Sequence, residues 1–480
     1  MNHSVKYITR RWRRIYLAVI TFLFILTVLP VLLLLPASTS ASDLPLDSPV
    51  YPILDRLWAE GLIHNYRLDN LPISREEAIV LLEEAGEQEA LDWIVGTKMS
   101  RISPWLKLEN GDRGYIPHNH SDVEVPDSMV LGIEAGLDLP PFSIYVDGRL
   151  PTEDDEDTEF TEAYGTFQFS NFRLTLGKED LWWGPGRRGT LLLTNNAEAL
   201  TMLRLSNYPG FDLPWFFKHL GETRLNFFIT RLEEDRDGFV PEPMMGGLQL
   251  SFTPHENFVF SLNKTFLYGG EGRDQDLQAF FRALFGYSGF DTGSEQSNVI
   301  GNQLAVVSFV WRHTSPSQPI TIYGELGGED TSTDYEIKMT AFLAGIYLPR
   351  LGQSRLFDLR LEAANNDTDP DRWYTHSDYP YTYKGRVMGH PMSTDAQDYY
   401  GELGIYPSSN MHIALSTAMT RKNLSIPGED DDILWTYGIK SDYWTRGAIL
   451  NLEWIMEQWE EVPPGEEEGT LLTLGIKLPL

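Results

Sequence analysis

From about residue 128 to the C-terminus, the chain consists of short segments in which hydrophobic and polar residues alternate. Alternation with a period of two residues predicts β-strands that have one apolar and one polar face. A series of such segments, each about ten residues long and separated by turn residues, is typical of a transmembrane antiparallel β-barrel. Residues 128–480 have room for about 16–18 strands, at roughly 20 residues for each strand and its connection. The clearest segments are Val130–Leu139, Phe142–Leu150, Thr223–Leu232, Asn257–Thr265, Leu304–His313, Ile320–Glu329, Lys338–Leu348, Phe357–Ala364, Met411–Met419, Leu434–Ser441, Ala448–Met456 and Thr470–Leu478.

A soluble β-sandwich or β-propeller would also contain many short strands. The sequence has no fixed repeat period, which counts against a propeller. The last predicted strand, Thr470–Leu478, suits a closed barrel, because the last strand of a barrel pairs with its first. Several tryptophans near predicted strand ends suit the aromatic girdles of a membrane barrel, although a soluble β-protein would show scattered aromatics too. These are Trp311, Trp435, Trp444, Trp454 and Trp459.

The part of the chain that precedes the predicted barrel has a different pattern, with apolar residues three and four positions apart. This spacing predicts amphipathic helices. Ser74 and Glu77 have the spacing of a capping box, which satisfies free backbone amides at a helix start. We therefore expect residues 42–127 to form a small helical segment and a linker. The apolar positions of the first helix are Leu54, Leu57, Trp58, Leu62 and Ile63.

The first 41 residues have the three parts of a secretory signal. An uncharged apolar run, Ile15–Leu35, is followed by small residues that end at Ala41. We expect an exported protein and place the cleavage after Ala41. The apolar run is longer than is usual for a signal, so an uncleaved membrane anchor is the alternative. The basic residues at the start are Lys6, Arg10, Arg11, Arg13 and Arg14.

The composition restricts the chemistry of the protein. The chain carries a formal net charge of −31, which would repel phosphate backbones, so we expect no nucleic-acid partner. It contains 0 cysteines, which excludes thiol nucleophiles, thiolate metal sites and disulfides. Acidic stretches at residues 153–157 and 428–432 read as solvated loops. Calcium binding is their alternative interpretation, although neither has the ligand spacing of an EF-hand.

The most distinctive motif of the chain is the run Trp182-Trp183-Gly184-Pro185-Gly186. Proline fixes φ and glycine relieves crowding, so this run predicts a tight bend. Tryptophans beside such a bend can stack on the apolar face of a sugar ring. The alternative is a corner in which the tryptophans pack inside the barrel.

Two arginines, Arg187 and Arg188, follow this bend directly. A planar guanidinium pairs well with carboxylates, so both are candidates for contact with an acidic polysaccharide. The alternative is that they neutralise Glu179 and Asp180, which lie just before the motif.

A second candidate cluster lies in a loop that is rich in glycine, proline and aspartate. It contains Tyr374, His376, Tyr379, Tyr381, Tyr383 and His390. Sugar rings bind well to surfaces that combine flat apolar groups with hydrogen-bonding groups. The alternative is a loop that folds into the barrel mouth and is held by buried tyrosine hydroxyls. The histidine spacing matches no zinc motif, so we expect no metal and no cofactor.

Several acidic residues raise the alternative of a glycan hydrolase, which needs two carboxylates. Glu325, Glu329 and Asp330 are the best candidates, because they end a predicted strand beside glycines. We instead expect them to line a polar lumen or to order a loop. The chain lacks the motifs GxSxG and GxxxxGK[ST], and we expect no enzymatic activity.

Taken together, these motifs resemble the Wzi capsule-assembly family of outer-membrane proteins. The strongest match is Leu176–Phe217, which contains the tryptophan motif and the pair Asn195 and Asn196. Matching segments continue in the same order along the chain. They are FFITRLEEDR at 227–236, LYGGEGR at 267–273, YGELGGED at 323–330, AGIYLPRLGQSRLFDLRLEAA at 344–364, the tyrosines around position 374, and MGHPM at 388–392.

The resemblance covers most of residues 50–480 and implies a closed or plugged barrel of eighteen strands with a periplasmic helical cap. It also implies lectin-like attachment of capsular polysaccharide or exopolysaccharide at the cell outer membrane, by a barrel that we expect to be monomeric. The alternative is a porin-like diffusion channel. The helical segment is also similar to one S-layer-homology repeat, so contact with peptidoglycan or another wall polymer is a further alternative. Outer-membrane lipid would surround the barrel in either case.

Overall fold

A computed structural model describes most of the chain downstream of the expected signal. The signal expected at residues 1–41 and the acidic stretch at 153–157 lie outside the described residues, as does most of the stretch at 428–432. The structure describes residues 42–87, 90, 100–111, 118–119, 129–150, 159–236, 238–285, 301–329, 338–367, 373–424, 431–445, 447–463 and 468–478.

The protein is an antiparallel β-barrel closed by 18 strands. The first strand closes it, since Ser100–Gly111 pairs with Met129–Leu139 on one side and with the last strand, Gly469–Lys477, on the other. In chain order the barrel strands are β1 Ser100–Gly111, β2 Met129–Leu139, β3 Phe142–Leu150, β4 Glu159–Phe169, β5 Phe172–Glu179, β6 Leu200–Asn207, β7 Glu222–Arg231, β8 Met244–His255, β9 Phe258–Tyr268, β10 Gln303–His313, β11 Ile320–Glu329, β12 Lys338–Leu348, β13 Phe357–Asn365, β14 Ala396–Ser408, β15 Met411–Lys422, β16 Asp432–Trp444, β17 Ile449–Trp459 and β18 Gly469–Lys477.

Few helices accompany the barrel. Helix α1 spans Val50–Glu60, α2 spans Arg75–Ala85, and α3 spans Leu277–Phe285 in the connection between β9 and β10. A short 3-10 helix, Trp215–Leu220, lies between β6 and β7. Ser74 accepts a hydrogen bond from the amide of Glu77, so half of the predicted capping box is observed. Throughout the described part of the chain, every helix is too short or too polar to cross a membrane.

The barrel begins earlier in the chain than the pattern predicted. We placed its start at residue 128, but β1 lies within the stretch 42–127 that we expected to be helical segment and linker. Every strand segment named above is confirmed as a barrel strand. The strands that the pattern did not single out are β1, β4, β5, β6, β8 and β14.

The outer surface of the barrel is an apolar belt. In β10, the side chains of Val307 and Trp311 point outward and are 46% and 41% exposed, whereas Val306 and Val310 point inward and are buried. This alternation places apolar residues where a bilayer would surround the barrel. Other exposed apolar residues of the belt are Ile102, Leu108, Leu131, Ile133, Leu137, Ile144, Leu176, Leu203, Leu262, Ile322, Leu326, Phe342, Leu361, Leu415, Ile439, Leu450, Leu472 and Leu474.

The two ends of the barrel differ in the length of their connections. At one end, strands are joined by short turns, such as the two residues between β2 and β3 and the two between β8 and β9. At the other end, long loops join the strands, among them residues 180–199 between β5 and β6 and residues 366–395 between β13 and β14. We call these the turn end and the loop end.

Residues 42–87, which we call the plug, enter the lumen from the turn end. Gly61 lies beside Thr314, in the connection between β10 and β11, and Arg56 donates a hydrogen bond to the carbonyl oxygen of Arg355, in the connection between β12 and β13. The apolar faces of α1 and α2 belong to the same buried core as residues from the strands. The lumen is therefore filled from the turn end by the helical segment.

Charged groups fix the plug to the inner wall. Asp43 forms ion pairs with Arg173 of β5 and Arg204 of β6, and Glu77 pairs with Arg224 of β7 at 2.5 Å. On other strands, Arg360 of β13 pairs with Asp55 at 3.0 Å, and Arg312 of β10 donates hydrogen bonds to the carbonyl oxygens of Trp58 and Ile63. These contacts are distributed around the lumen, so the plug is held from several sides.

Candidate functional site

Two loops fold into the lumen from the loop end and meet the plug. We call residues 180–199 the motif loop and residues 373–395 the tyrosine loop. The backbones of Leu71 in the plug and Trp182 in the motif loop exchange hydrogen bonds of 2.9 and 3.0 Å. The plug and the motif loop are therefore in direct contact inside the barrel.

The two tryptophans of the motif have different environments. Trp183 is 0% exposed and packs edge-on against Phe228 at 5.3 Å between ring centroids. Trp182 is half-buried, lines the main cavity of the lumen, and donates a hydrogen bond of 2.9 Å to the carbonyl oxygen of Gly186. Trp183 is consequently a packing residue in this structure, whereas Trp182 has a face that a ligand can reach.

The Gly-Pro-Gly bend fits tightly between the plug and the wall. Gly184 has φ of +140°, and its amide donates a hydrogen bond of 3.0 Å to the carbonyl oxygen of Asp69. A Cβ atom at this position would lie 2.2 Å from Oε1 of Glu325. Pro185 and Gly186 continue the bend and line the same cavity as Trp182. The predicted tight bend is confirmed, and position 184 has no room for a side chain.

Strand carboxylates hold the motif loop by its backbone. Glu362 of β13 accepts hydrogen bonds from the amides of Arg187 and Arg188, at 2.6 and 2.9 Å. Glu325 of β11 accepts one from the amide of Leu191 at 2.9 Å. Glu325 is 0% exposed, so this candidate of the hydrolase alternative orders a loop.

The arginines of the motif have partners other than the two proposed from the sequence. Arg187 pairs with Glu402 at 3.4 Å, and the negative charge of Glu402 raises the pKa of Arg187. Arg188 lies 4.0 Å from Asp398, and Glu179 pairs instead with Arg204 at 2.9 Å. The alternative that the arginines neutralise Glu179 is therefore not observed, because both side chains extend across the lumen toward the opposite wall.

Of the asparagine pair, Asn196 stabilises the far end of the motif loop. Asn196 is buried and donates a hydrogen bond of 2.9 Å to the carbonyl oxygen of Val387 in the tyrosine loop. Its side-chain oxygen accepts one of 3.2 Å from the amide of Asn119. Asn195 is half-buried and lines the cavity with Trp182.

Three tyrosines of the second cluster are buried, and two of them clamp the motif loop. The hydroxyl group of Tyr374 donates a hydrogen bond of 2.7 Å to the carbonyl oxygen of Leu191. Tyr381 does the same to Leu192 at 3.0 Å, and Tyr379 to Gly269 at 2.8 Å. Tyr374, Tyr379 and Tyr381 are 1%, 0% and 0% exposed. Their positions match the alternative of a folded loop held by buried hydroxyls.

The two histidines of the cluster make local hydrogen bonds. Nδ1 of His390 accepts one of 3.2 Å from the amide of Met392, and burial lowers the pKa of His390 to about 4. Nδ1 of His376 accepts hydrogen bonds from the amides of Asp378 and Tyr379 at 3.0 and 3.1 Å. Within the described residues, no group of three or more His, Cys, Asp and Glu side chains is arranged to hold a metal ion.

Replacing Tyr374 by phenylalanine should lower the free energy of unfolding by about 1–3 kcal/mol. The hydroxyl group donates to Leu191 and accepts a hydrogen bond of 2.9 Å from the amide of His390, so its removal leaves two buried backbone groups without a partner. The measurement is urea unfolding of the barrel in lipid vesicles. Tyr399→Phe is the matched control, because Tyr399 is 46% exposed. Equal midpoints for both variants would contradict the clamp.

The buried imidazole of His390 should make stability depend on pH. Its folded-state pKa of about 4 lies below the ordinary value of 6.5, so the unfolded chain binds the proton more readily. The contribution of this residue to the free energy of unfolding is fully present above pH 6.5 and is lost as the pH falls toward 4. The loss between pH 6.5 and pH 5 is about 2 kcal/mol. His390→Gln should unfold with a flatter pH profile, and parallel profiles for variant and wild type would contradict this assignment.

The accessible part of the site is a cavity of about 490 Å³ between the plug, the motif loop and the wall formed by β1–β4 and β13–β18. Trp182, Arg187 and Asn195 reach it from the motif loop. On the wall, Lys477 of β18 pairs with Glu134 of β2 at 2.6 Å, across the strand that closes the barrel. Further charged lining residues are Asp47, Lys107, Asp147, Glu162, Arg360, Glu402, Lys440, Glu453 and Glu457.

Sequence reasoning did not single out these wall residues. Glu134, Lys440, Glu453 and Lys477 do occupy polar positions of predicted strands, so the alternation could have marked them as lumen-facing. Lys107 belongs to β1, which was not predicted. The alternation identifies the inner face of a strand, but it does not show which inner residues the plug leaves accessible.

The family model for the capsule assembly protein Wzi matches residues 110–468. The chain belongs to the Wzi family. A curated relative, an uncharacterized 55.8 kDa protein in the cps region of Klebsiella pneumoniae, is 25% identical over 307 residues. The match covers 61% of this chain and 59% of that relative, so it spans about three-fifths of the relative's length.

A solved structure shares the fold of this Wzi-family protein. It is Wzi, described as an outer membrane protein involved in group 1 capsule assembly in Escherichia coli and as a carbohydrate binding β-barrel. The TM-score is 0.71 at 18% sequence identity, over 92% of this chain and 100% of the other. The predicted fold class is thereby confirmed, and the protein is an outer-membrane β-barrel.

Proposed function

We propose that this Wzi-family barrel attaches or organises capsular polysaccharide or exopolysaccharide at the cell surface, without catalysis. The observation that carries the proposal is the family match over residues 110–468, in a barrel whose lumen is filled by the plug and two inward-folded loops. A diffusion channel needs a continuous polar lumen, and the packing of Trp183 against Phe228 between these elements speaks against one. The relative encoded in a cps region supports a role in capsule assembly.

The accessible cavity is the place where we expect the polysaccharide to be contacted. Its volume of about 490 Å³ is within the range of small-ligand pockets, roughly 300–1,000 Å³. Trp182 offers an aromatic face, and the side chain of Arg187 is 31% exposed. By contrast, Trp183, Tyr374, Tyr379 and His390 are buried. Tyr374 would act by holding the motif loop, through its hydrogen bond to Leu191.

The plug supports the proposal of a periplasmic cap. Short turns face the periplasm in outer-membrane barrels, and the plug enters at the turn end. The apolar residues of α1 and α2 pack in the core of the barrel, which favours a cap over a free wall-binding repeat. We also propose that the barrel acts as a monomer, with retention arising from many weak contacts along a polymer.

Deleting the gene should move surface polysaccharide from the cell-bound fraction into the medium while the total stays constant. Complementation with the wild-type gene should reverse this, whereas Trp182→Ala should restore much less retention, because the accessible aromatic face is lost. Trp311→Ala is the control, since Trp311 is 41% exposed on the lipid-facing side. The measurement is the ratio of cell-bound to released polysaccharide.

Each outcome separates the alternatives. An unchanged ratio in the deletion strain would refute attachment, and ion conductance through the purified barrel would then support a channel. A changed ratio with full rescue by Trp182→Ala would place the contact outside the cavity. Shortened polysaccharide in the medium of the complemented strain would indicate a hydrolase instead.

A further inference from the structure

Helix α3 (Leu277–Phe285) lies on the outer wall of the barrel near the loop end. Phe266 and Tyr268 occupy outward positions of β9, four and six residues along the strand from the exposed Leu262. They are nevertheless only 0% and 5% exposed. Phe280 of α3 covers both, at 5.8 and 6.1 Å between ring centroids, and also touches Phe227 of β7 at 6.2 Å. The helix therefore occupies a place where lipid would otherwise contact the wall.

The opposite face of α3 is also apolar, and it is exposed. Leu277, Phe281 and Phe285 are spaced four residues apart, which places them along one side of the helix. They are 70%, 46% and 74% exposed, and the rings of Phe281 and Phe285 stack at 6.2 Å. A nine-residue helix that is apolar on two opposite faces is unsuited to water on either face.

The position of α3 relative to the apolar belt indicates what covers the exposed face. Phe266 is aligned across the neighbouring strands with Ile229, Leu203 and Leu176. Of these, Leu203 and Leu176 are 42% and 64% exposed. Leu262 of the same strand and its partner Val307 are exposed as well. The apolar belt thus reaches α3 from both sides, and the face of α3 continues it.

Charged groups mark the edge of this belt. Arg231, the last residue of β7, lies 3.2 Å from Glu242 and 3.3 Å from Gln275, which precedes α3. Phe227 is four residues before Arg231 on the same strand, roughly 13 Å along it. Phe280 touches Phe227, so α3 runs from the charged rim toward the membrane. Arg282 is the single charged residue of the helix, and its long stem allows the guanidinium to reach the headgroup region.

We propose that α3 is an interfacial helix that inserts its Leu277–Phe281–Phe285 face into the outer leaflet of the membrane. The partner is the acyl region of the surrounding lipid, with Arg282 directed to the lipid headgroups. The loop between β9 and β10 is consequently anchored to the bilayer at its start, beside the entrance of the lumen. This inference does not depend on the proposed polysaccharide function, because it rests on the outer wall alone.

Site-directed spin labelling tests the insertion directly, since the chain contains 0 cysteines and each label site is introduced alone. Phe281→Cys and Phe285→Cys would carry the nitroxide on the exposed face of α3. Leu262→Cys on the belt is the lipid-facing control, and Glu271→Cys, in the exposed turn before α3, is the water-facing control. Each labelled barrel is reconstituted in vesicles of phosphatidylcholine and phosphatidylglycerol, and folding is checked by the heat-dependent shift in electrophoretic mobility.

The accessibility of the label to oxygen, relative to a water-soluble nickel chelate, gives the answer. We expect this ratio at positions 281 and 285 to be several-fold higher than at 271 and similar to that at 262. A ratio equal to that at 271 would show a water-exposed face and overturn the proposal. Low accessibility to both reagents, with spin broadening that disappears on dilution with unlabelled protein, would show that a second copy covers the face and would equally overturn it.

Discussion

Replacing Asp43 by alanine is expected to lower the free energy of unfolding by about 3–5 kcal/mol and to loosen the plug. Asp43 is 2% exposed and lies between the guanidinium groups of Arg173 and Arg204. Burial alone would raise the pKa of Asp43, but the two positive charges outweigh it and lower the pKa. Without this carboxylate, Arg204 keeps its ion pair with Glu179 at 2.9 Å, whereas Arg173 loses the acidic partner that it has among the described residues.

Two measurements check this expectation, namely urea unfolding in vesicles and ion conductance through the reconstituted barrel. The matched control is Asp431→Ala, because Asp431 pairs with Arg421 at a site where both side chains are about one-third exposed. Such pairs contribute about 0–1 kcal/mol. If Asp43→Ala changed stability no more than this control does, the charged network would not be what fixes the plug.

A Gly184→Ala substitution should destabilise the motif loop by roughly 3 kcal/mol or more. The new Cβ atom would lie 2.2 Å from Oε1 of Glu325 and 2.9 Å from Cβ of Thr190, at a φ of +140° that alanine rarely adopts. The loop would have to move away from the wall, and the amide of Leu191 would lose its contact with Glu325. Thermal unfolding of the purified barrel measures the loss.

A double-mutant cycle with Glu325→Ala identifies the cause of this loss. In the Glu325→Ala background, Gly184→Ala should destabilise the barrel less, because the closest clashing atom is absent. Gly447→Ala serves as the neutral control, since nothing lies within 4 Å of a Cβ atom there. Identical effects of Gly184→Ala in both backgrounds would assign the loss to backbone strain alone.

The fold could be read from the sequence where strand alternation is regular. Phe357–Ala364 has apolar residues on the lipid side and polar or small residues on the lumen side, and it proved to be a strand. β1 was missed because Pro104 interrupts its pattern, and β6 was missed because its stretch, Leu176–Phe217, was interpreted for its motifs and not for strand alternation. The four-residue spacing of Leu277, Phe281 and Phe285 is typical of a helix, and these residues lie in α3.

The site was less predictable than the fold, for a physical reason. The sequence does not distinguish a tryptophan or tyrosine that faces a ligand from one that packs under a loop. Trp182 and Trp183 are adjacent in the sequence, yet one lines a cavity and the other is 0% exposed. Which of them is accessible depends on how the plug meets the motif loop, and those contacts join residues that are far apart in the chain.

The way in which the motif loop is held has a consequence for how the family can diverge. Glu362, Glu325 and Tyr374 bind its main chain, through the amides of Arg187, Arg188 and Leu191 and the carbonyl oxygen of Leu191. Every residue except proline supplies these amides, so the loop keeps its place when the side chains at positions 187 and 188 change. Substitutions at positions 187 and 188 can therefore change the charge and shape of the cavity wall while the scaffold that presents it stays the same.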